Sequence, residues 1–297
     1  MEKNLFSGLE DLGFEDIDKI DIYKKEEEDK AASKASAAQN QLSEEEKQKS
    51  LLYDKEVTCP VCENIFKARA VKTSAYRILK KDTDFFIRYD VINPYFYDVW
   101  QCNVCGYSAM KSDFEKIRNF EIEAVQKKLT PKWRGRRYPE VYDLDIAIER
   151  YKLSLLNCVV METKASKKAM NCLKIAWMHR LKEDEENEQI FLKQALEGFN
   201  EAYFNESFPI YGMDNHTVMY LMGELNRRLG NDEESMKWFS QVITTHGVAQ
   251  KLKELARDQK DLISEAQNGT DKSSNDTEDF TVEEDTKKKG FLSRLFK

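Results

Sequence analysis

Histidine is almost missing from this chain. His179, His216 and His246 are the only three in 297 residues, and none stands beside another base, nucleophile or metal ligand in a motif. That leaves little for Ser-His or Cys-His nucleophilic catalysis. Glycine (11) and proline (5) are also scarce, and no glycine-rich phosphate loop occurs. Acid pairs such as Glu183 and Glu186 lie in a solvated charge run, with no apolar surround to tune them. Together these absences point to a protein that is not an enzyme. No apolar run approaches the ~20 residues of a membrane span; the longest, Leu153–Met161, is short and interrupted. The start of the chain is acidic (Glu2, Glu10, Asp11) and lacks the basic and apolar regions of a secretory signal. The expectation is a cytoplasmic protein, whose six cysteines stay reduced rather than forming three disulfides.

What is abundant is charge, at 34% of residues, and it is unevenly spread around a net −7. Residues 1–50 sum to −6, residues 268–286 to −6 and residues 287–297 to +5, whereas 51–267 is neutral. Strong charge therefore sits in the tails. Residues 1–25 space Leu5, Phe6, Leu9, Leu12, Phe14, Ile17 and Ile20 through an acidic background, and Ser7 with Glu10 has capping-box spacing. This reads as a short docking motif. From Lys24 to Ser50 the composition is that of a linker.

Four cysteines form the sharpest motif. Cys59-Pro-Val-Cys62 and Cys102-Asn-Val-Cys105 each place two residues between thiols, so that one tight turn aims both sulfurs at the same ion. Pro60 pre-sets the first turn, and Gly106 suits a positive φ after the second. Four thiolates make a closed tetrahedral site of the structural type, so the pattern predicts one structural Zn2+ on Cys59, Cys62, Cys102 and Cys105. The 39 residues between the pairs exceed the usual spacer of ~15–20, which requires a folded insert. Alternation of Phe85, Ile87, Tyr89 and Val91, then of Tyr95, Tyr97 and Val99 after an Asn93-Pro94 turn, predicts two strands in a hairpin-like arrangement. Cys158 and Cys172 lie on helical faces and read as core thiols.

From about Tyr142 to Ala266 the apolar period becomes helical. Gly223, Gly230, Ser235 and Phe239 fall where a tetratricopeptide repeat (TPR) places its small residues and its aromatic. Ala147, Tyr151 and Ser154, and then Ala195, Phe199 and Ala202, repeat the second-helix spacing at irregular intervals. An ordinary helical bundle is the alternative.

Two basic stretches remain. Lys127, Lys128, Lys132, Arg134, Arg136 and Arg137, interleaved with Trp133 and Tyr138, form an anion patch that could bind nucleic acid, or else a solvated connection whose tryptophan packs on the core. At the end of the chain, a helix through Phe291–Lys297 puts Phe291, Leu292, Leu295 and Phe296 on one side and Ser293, Arg294 and Lys297 on the other, preceded by Lys287, Lys288 and Lys289. That is a basic amphipathic helix suited to an anionic bilayer. It resembles the C-terminal membrane-targeting sequence of the bacterial division-site ATPase MinD over about ten residues, and nothing else in the chain resembles that ATPase. One copy of so short a helix binds weakly, so durable attachment calls for a homo-oligomer or a membrane partner.

The paired knuckles, the segment FFIRYDVINPYFYDVWQC, and CNVCGY followed by helical repeats resemble a bacterial family catalogued as domain of unknown function two-two-two-five, over residues 51–265. The resemblance implies a zinc-ribbon-like head fused to a TPR-like region, with no assigned activity. The fold class expected is α+β: a small zinc-ribbon-like β domain (51–140), then an all-α TPR-like repeat domain (141–266). An acidic tail (1–50), an acidic linker (267–286) and the membrane-targeting helix (287–297) flank them. The function expected is that of a non-enzymatic adaptor peripheral to the inner face of the cell membrane. Protein partners would bind the helices and the N-terminal motif, and anionic lipids the C-terminus, in envelope growth, division or signalling. The other reading is a nucleic-acid-binding regulator that uses the ribbon and the patch at 127–137.

Overall fold

The computed structural model describes residues 43–272, with side chains through 267. The acidic motif at 1–25, the remainder of the linker from 273 and the basic helix at 287–297 lie outside the described residues. The chain divides into two units between Lys47 and Gln48. Ser43 starts a helix, α1 (Glu44–Ser50), inside what the composition reads as linker. The Ser43 hydroxyl accepts from the Glu46 N–H while the Glu46 carboxylate accepts from the Ser43 N–H at 2.8 Å, a capping box.

The fold of the second unit is α+β. Three two-stranded antiparallel sheets come first. β1 (Leu52–Thr58) pairs with β2 (Ile65–Val71) from Leu52 opposite Val71 to Thr58 opposite Ile65. β3 (Ile78–Lys81) pairs with β4 (Ile87–Tyr89), and β5 (Val99–Gln101) with β6 (Ser108–Met110). The hairpin expected from the aromatic alternation takes a different form. Phe85 (φ 70) and Val91 (φ 50) are left-handed, which confines the strand between them to Ile87–Tyr89, and its partner is the preceding segment Ile78–Lys81. Pro94–Tyr97 is a 3₁₀ turn rather than a strand. Pro94 sits in its first turn, and the Asn93 carboxamide accepts from the Tyr95 N–H at 3.0 Å. The turn sends its aromatics to two places: Tyr95 packs against Phe86 and Trp177, while Tyr97 stacks on Tyr142 at 4.7 Å.

Helix α2 (Asn119–Lys128) follows the sheets; the alternation pattern did not indicate it. Then come α3 (Leu144–Val160), α4 (Ala165–Leu181), α5 (Glu185–Asn205), α6 (Asn215–Arg228), α7 (Asp232–Thr244) and α8 (Gln250–Lys272). Asp143, Asp184 and Asp214 cap α3, α5 and α6 by accepting from the N–H three residues on. Three-residue connections join α4 to α5 and α6 to α7, and each pair packs closely. In the second pair, a Cβ on Gly223 would lie 2.8 Å from the Phe239 ring, and the Ser235 hydroxyl donates to the Gly223 carbonyl at 2.8 Å. In the first, a Cβ on Gly198 would lie 2.9 Å from that of Ala169. Ala147, Tyr151 and Ser154 are buried, as are Ala195, Phe199 and Ala202; of the third set Gly223, Ser235 and Phe239 are buried, while Gly230 (φ 75) is exposed in the α6–α7 connection. α8 runs to Lys272, six residues past the boundary the composition suggests, after burying Ala256 and Ile263.

One apolar cluster bridges the sheets and the helices, and a separate one surrounds the cysteines. Phe86, Val99 and Met110 pack with Tyr151, Leu173, Trp177, Phe199 and Leu221. The β3–β4 turn plugs into the helices by charge as well. Asp84, fully buried, accepts from Arg180 Nη2 at 2.7 Å and Nη1 at 3.1 Å and from the Trp177 indole at 2.9 Å. Arg180 also reaches Glu188 at 2.7 Å, and Arg228 donates to Glu224 at 2.7 Å and to Thr83 at 3.0 Å. Burial acts most strongly on Asp84 and opposes its ionisation. Arg180, Arg228 and Trp177 outweigh it and hold the carboxyl below the usual range. Cys158 and Cys172 are core thiols, pushed up to about 11 and about 12 chiefly by burial.

Candidate metal centre

The two knuckles have the same backbone. In the first, Cys59 N–H donates to the Asn64 carbonyl and Glu63 N–H to the Cys59 carbonyl, both at 2.9 Å. In the second, Cys102 N–H donates to Tyr107 and Gly106 N–H to Cys102, again both at 2.9 Å. The equivalent residues Glu63 (φ 58) and Gly106 (φ 80) are both left-handed, as the turn demands. β1 and β2 carry the first knuckle between them, and β5 and β6 the second, so each cysteine pair is the loop of a hairpin.

The folded insert brings the loops together. All four Sγ atoms lie within 4.8 Å of one another, with Cys59 to Cys105 at 3.6 Å and Cys62 to Cys102 at 3.5 Å. A tetrahedral ion with bonds of ~2.3 Å would set its sulfurs ~3.8 Å apart, so the cluster fits a metal ion with only small adjustment. Cys59, Cys102 and Cys105 are buried and Cys62 is half-buried. The electrostatics also call for a cation. Hydrogen bonds from Cys105 and Cys59 hold the Cys102 thiol far below the ordinary range. Cys102 and then Cys59 push Cys105 up, while Cys102 and burial, against the contact with Cys105, push Cys59 up to about 12. Four thiolates gathered this closely would need a positive charge at their centre.

The residues that secure the centre carry no motif. Gln126 on α2 donates to the Val61 carbonyl at 2.9 Å, and Thr130 donates to the Cys105 carbonyl at 3.0 Å. The Trp133 indole donates to the Asn103 carbonyl at 2.9 Å, and its ring lies so close over Gly106 that a Cβ there would sit 2.7 Å from it. One segment, α2 and the chain after it, thus clips both knuckles. Beneath them Phe66, Trp100 and Tyr107 surround Phe114, and the Tyr107 hydroxyl donates to its carbonyl at 3.0 Å.

The basic stretch lies on that clip. Lys127 and Lys128 reach Glu123 and Glu162 at 3.2 and 3.7 Å, and Arg136 makes a bidentate pair with Glu149 at 2.9 and 3.0 Å. Three of its six cations therefore face acids, Lys127 one four residues back on its own helix and Lys128 and Arg136 ones distant in sequence. Lys132, Arg134 and Arg137 have no ion pair among the described residues. Both interleaved aromatics are engaged in the fold: Trp133 covers Gly106, and the Tyr138 hydroxyl donates to Gln101 at 3.1 Å and Glu149 at 2.9 Å. The histidines lie in the helical half. His179 is buried, stacked on Phe191 and 3.0 Å from Asp184, while His216 is half-buried and His246 exposed. No helix among the described residues is long and apolar enough to cross a membrane.

Fold and site together define an α+β protein whose β-rich head, packed on a helical layer, carries a four-cysteine cluster that could hold a metal ion. The chain belongs to the family described as an uncharacterized protein conserved in bacteria (DUF2225), which matches residues 52–263. No curated protein and no solved structure matches it.

Proposed function

We propose that this chain is a non-enzymatic adaptor. In this reading one structural Zn2+ on Cys59, Cys62, Cys102 and Cys105 holds the head, and the helices form a TPR-like layer that binds a protein partner. The basic helix Lys287–Lys297 brings the assembly to the inner membrane surface. For the metal, an all-thiolate tetrahedral set with no open position favours zinc in a structural role. For the partner, the supporting observation is a groove of about 620 Å³ along α5, α6 and α7, lined by Lys193, Asn200, Asn226, Asn231 and Trp238. Asn226 and Asn231 are bonded within the fold, which leaves the exposed Asn200 carboxamide to pair with the N–H and C=O groups of an extended peptide, and a tryptophan offers an apolar anchor.

A photo-crosslinking residue placed at Asn200 of the full-length protein in cells tests the adaptor reading. The expected result is a discrete partner that is absent when the same residue replaces exposed Asp258 on α8. Identical products from both positions would overturn it. Sedimentation with vesicles containing anionic lipid tests the membrane step: binding should be salt-sensitive and lost on deleting Gly290–Lys297, and equal binding with and without those residues would remove that step. Metal analysis of the protein purified under reducing conditions without chelator should give about one equivalent of zinc.

A further inference from the structure

We propose that a cavity between the β3–β4 hairpin and helices α4 and α6 is a binding site for a small organic acid with an apolar body and one anionic head. Its volume is about 430 Å³, within the ~300–1,000 Å³ of small-molecule sites. It lies away from both the metal centre and the Asn-lined groove and needs neither. Met170, Leu173, Trp177, Met213 and Leu221 supply an apolar wall, in which the methionines can adjust to different ligand shapes.

The charges around it select the sign of the ligand. Asp84 is already saturated by Arg180 and Trp177. Asp98 serves two ammonium groups, Lys111 at 3.4 Å and Lys174 at 3.5 Å, and its second oxygen accepts from the Tyr151 hydroxyl at 3.4 Å. A cationic ligand would thus find both carboxylates occupied. The lysines are less fully matched. Lys174 Nζ is nearly enclosed, 3.9 Å from the Tyr95 ring centre and 5.0 Å from that of Trp177, and shares its one carboxylate. Lys81, exposed at the mouth, has no ion pair among the described residues and rests 4.7 Å over the Phe85 ring. Burial, and then the nearby Lys251, lower the Lys81 pKa, the direction expected of an ammonium short of negative charge. An anionic head at the mouth relieves that deficit while the body displaces water from the methionine, leucine and tryptophan wall.

Calorimetric titration of the full-length protein with octanoate and with 3-phenylpropionate tests this. The expected result is saturable one-to-one binding of at least one acid, with octanol and octylamine at least about tenfold weaker. Lys81→Gln, at an exposed position, should weaken the acid about tenfold and leave octanol unchanged. Met213→Trp, which fills the cavity, should abolish acid binding. The proposal fails if neither acid binds, if octylamine binds as tightly as octanoate, or if Lys81→Gln leaves acid affinity unchanged. Should Met213→Trp fail to fold, the Lys81→Gln comparison alone decides.

Discussion

The metal centre and the Asp84–Arg180 junction solve the same problem by opposite means. Each gathers charge into the interior to tie segments far apart in sequence. At the cysteine cluster the charges that could form have one sign, four potential thiolates within 4.8 Å of one another, and an ion that neutralised them would come from outside the chain. At the junction both signs are supplied by the chain itself, with Asp84 meeting an arginine 96 residues away at 2.7 Å. The difference teaches that the cysteine cluster, if it holds the proposed metal, depends on an added ion and a redox state, whereas the junction depends only on packing. It also bears on what each can hold. The centre closes a head of short sheets that would be marginal alone, while the junction fixes that head to the helices.

The largest effect should come from removing a ligand. Cys102→Ser should lose the metal and unfold the head, because structural zinc contributes on the order of 10 kcal/mol to small domains of this type. Metal content, and protease cleavage within 52–133 with the helical circular dichroism retained, would show it; loss of the helical signal too would mean that the two regions are not separable. Next, Arg180→Met strands Asp84 in the interior and should cost about 3–5 kcal/mol, read by denaturant unfolding. Adding Asp84→Asn should recover part of that loss, and strictly additive effects would contradict the coupling.

Smaller effects probe the close approaches. Gly106→Ala combines a left-handed φ, at about 1–2 kcal/mol, with displacement of the Trp133 ring, so it should lower the melting temperature and also weaken metal retention against a chelator. Gly223→Ala overpacks Phe239 and should cost about 1–3 kcal/mol with metal retention unchanged. The smallest effect concerns pH. Burial first, against the pull of Asp184, lowers the His179 pKa. A depressed folded value means the neutral ring is the stabilising form. Its contribution is therefore present above the unfolded value of ~6.5 and is lost as pH falls through the lower folded one. Asp84 follows the same rule further down: its contribution is present above ~3.9 and is lost as pH falls through its depressed folded value. His179→Phe should flatten the stability profile just below neutrality and leave the acid limb intact; an unchanged profile would discount the histidine.

Much of this was legible in the chain. The cysteine pairs were plain because a metal site needs fixed ligand types at fixed local spacing. The α+β division and the buried small-residue and aromatic sets were legible because each rests on a short period. The aromatic segment misled because alternation records only that side chains face different ways. Tyr95 and Tyr97 do so from a 3₁₀ turn, which Asn93 and Pro94 stabilise locally. Helix α2 escaped because its buried residues are few, Glu121 and Val125, and its first turn is held by Arg118 and Glu121 rather than by an apolar stripe. The basic stretch looked unpaired because Glu149 and Glu162 approach it only in space.

By itself, then, the sequence determined which residues could hold a metal, where strands yield to helices, and which helix faces are buried. Those are consequences of residue type and short-range spacing. Only the tertiary structure decided that Trp133 seals the second knuckle, that Asp84 is answered by Arg180, and that Lys81 is left facing an apolar cavity. Such partnerships join positions tens of residues apart. They are set by how the packed sheets and helices come to rest, and no local period in the chain encodes them.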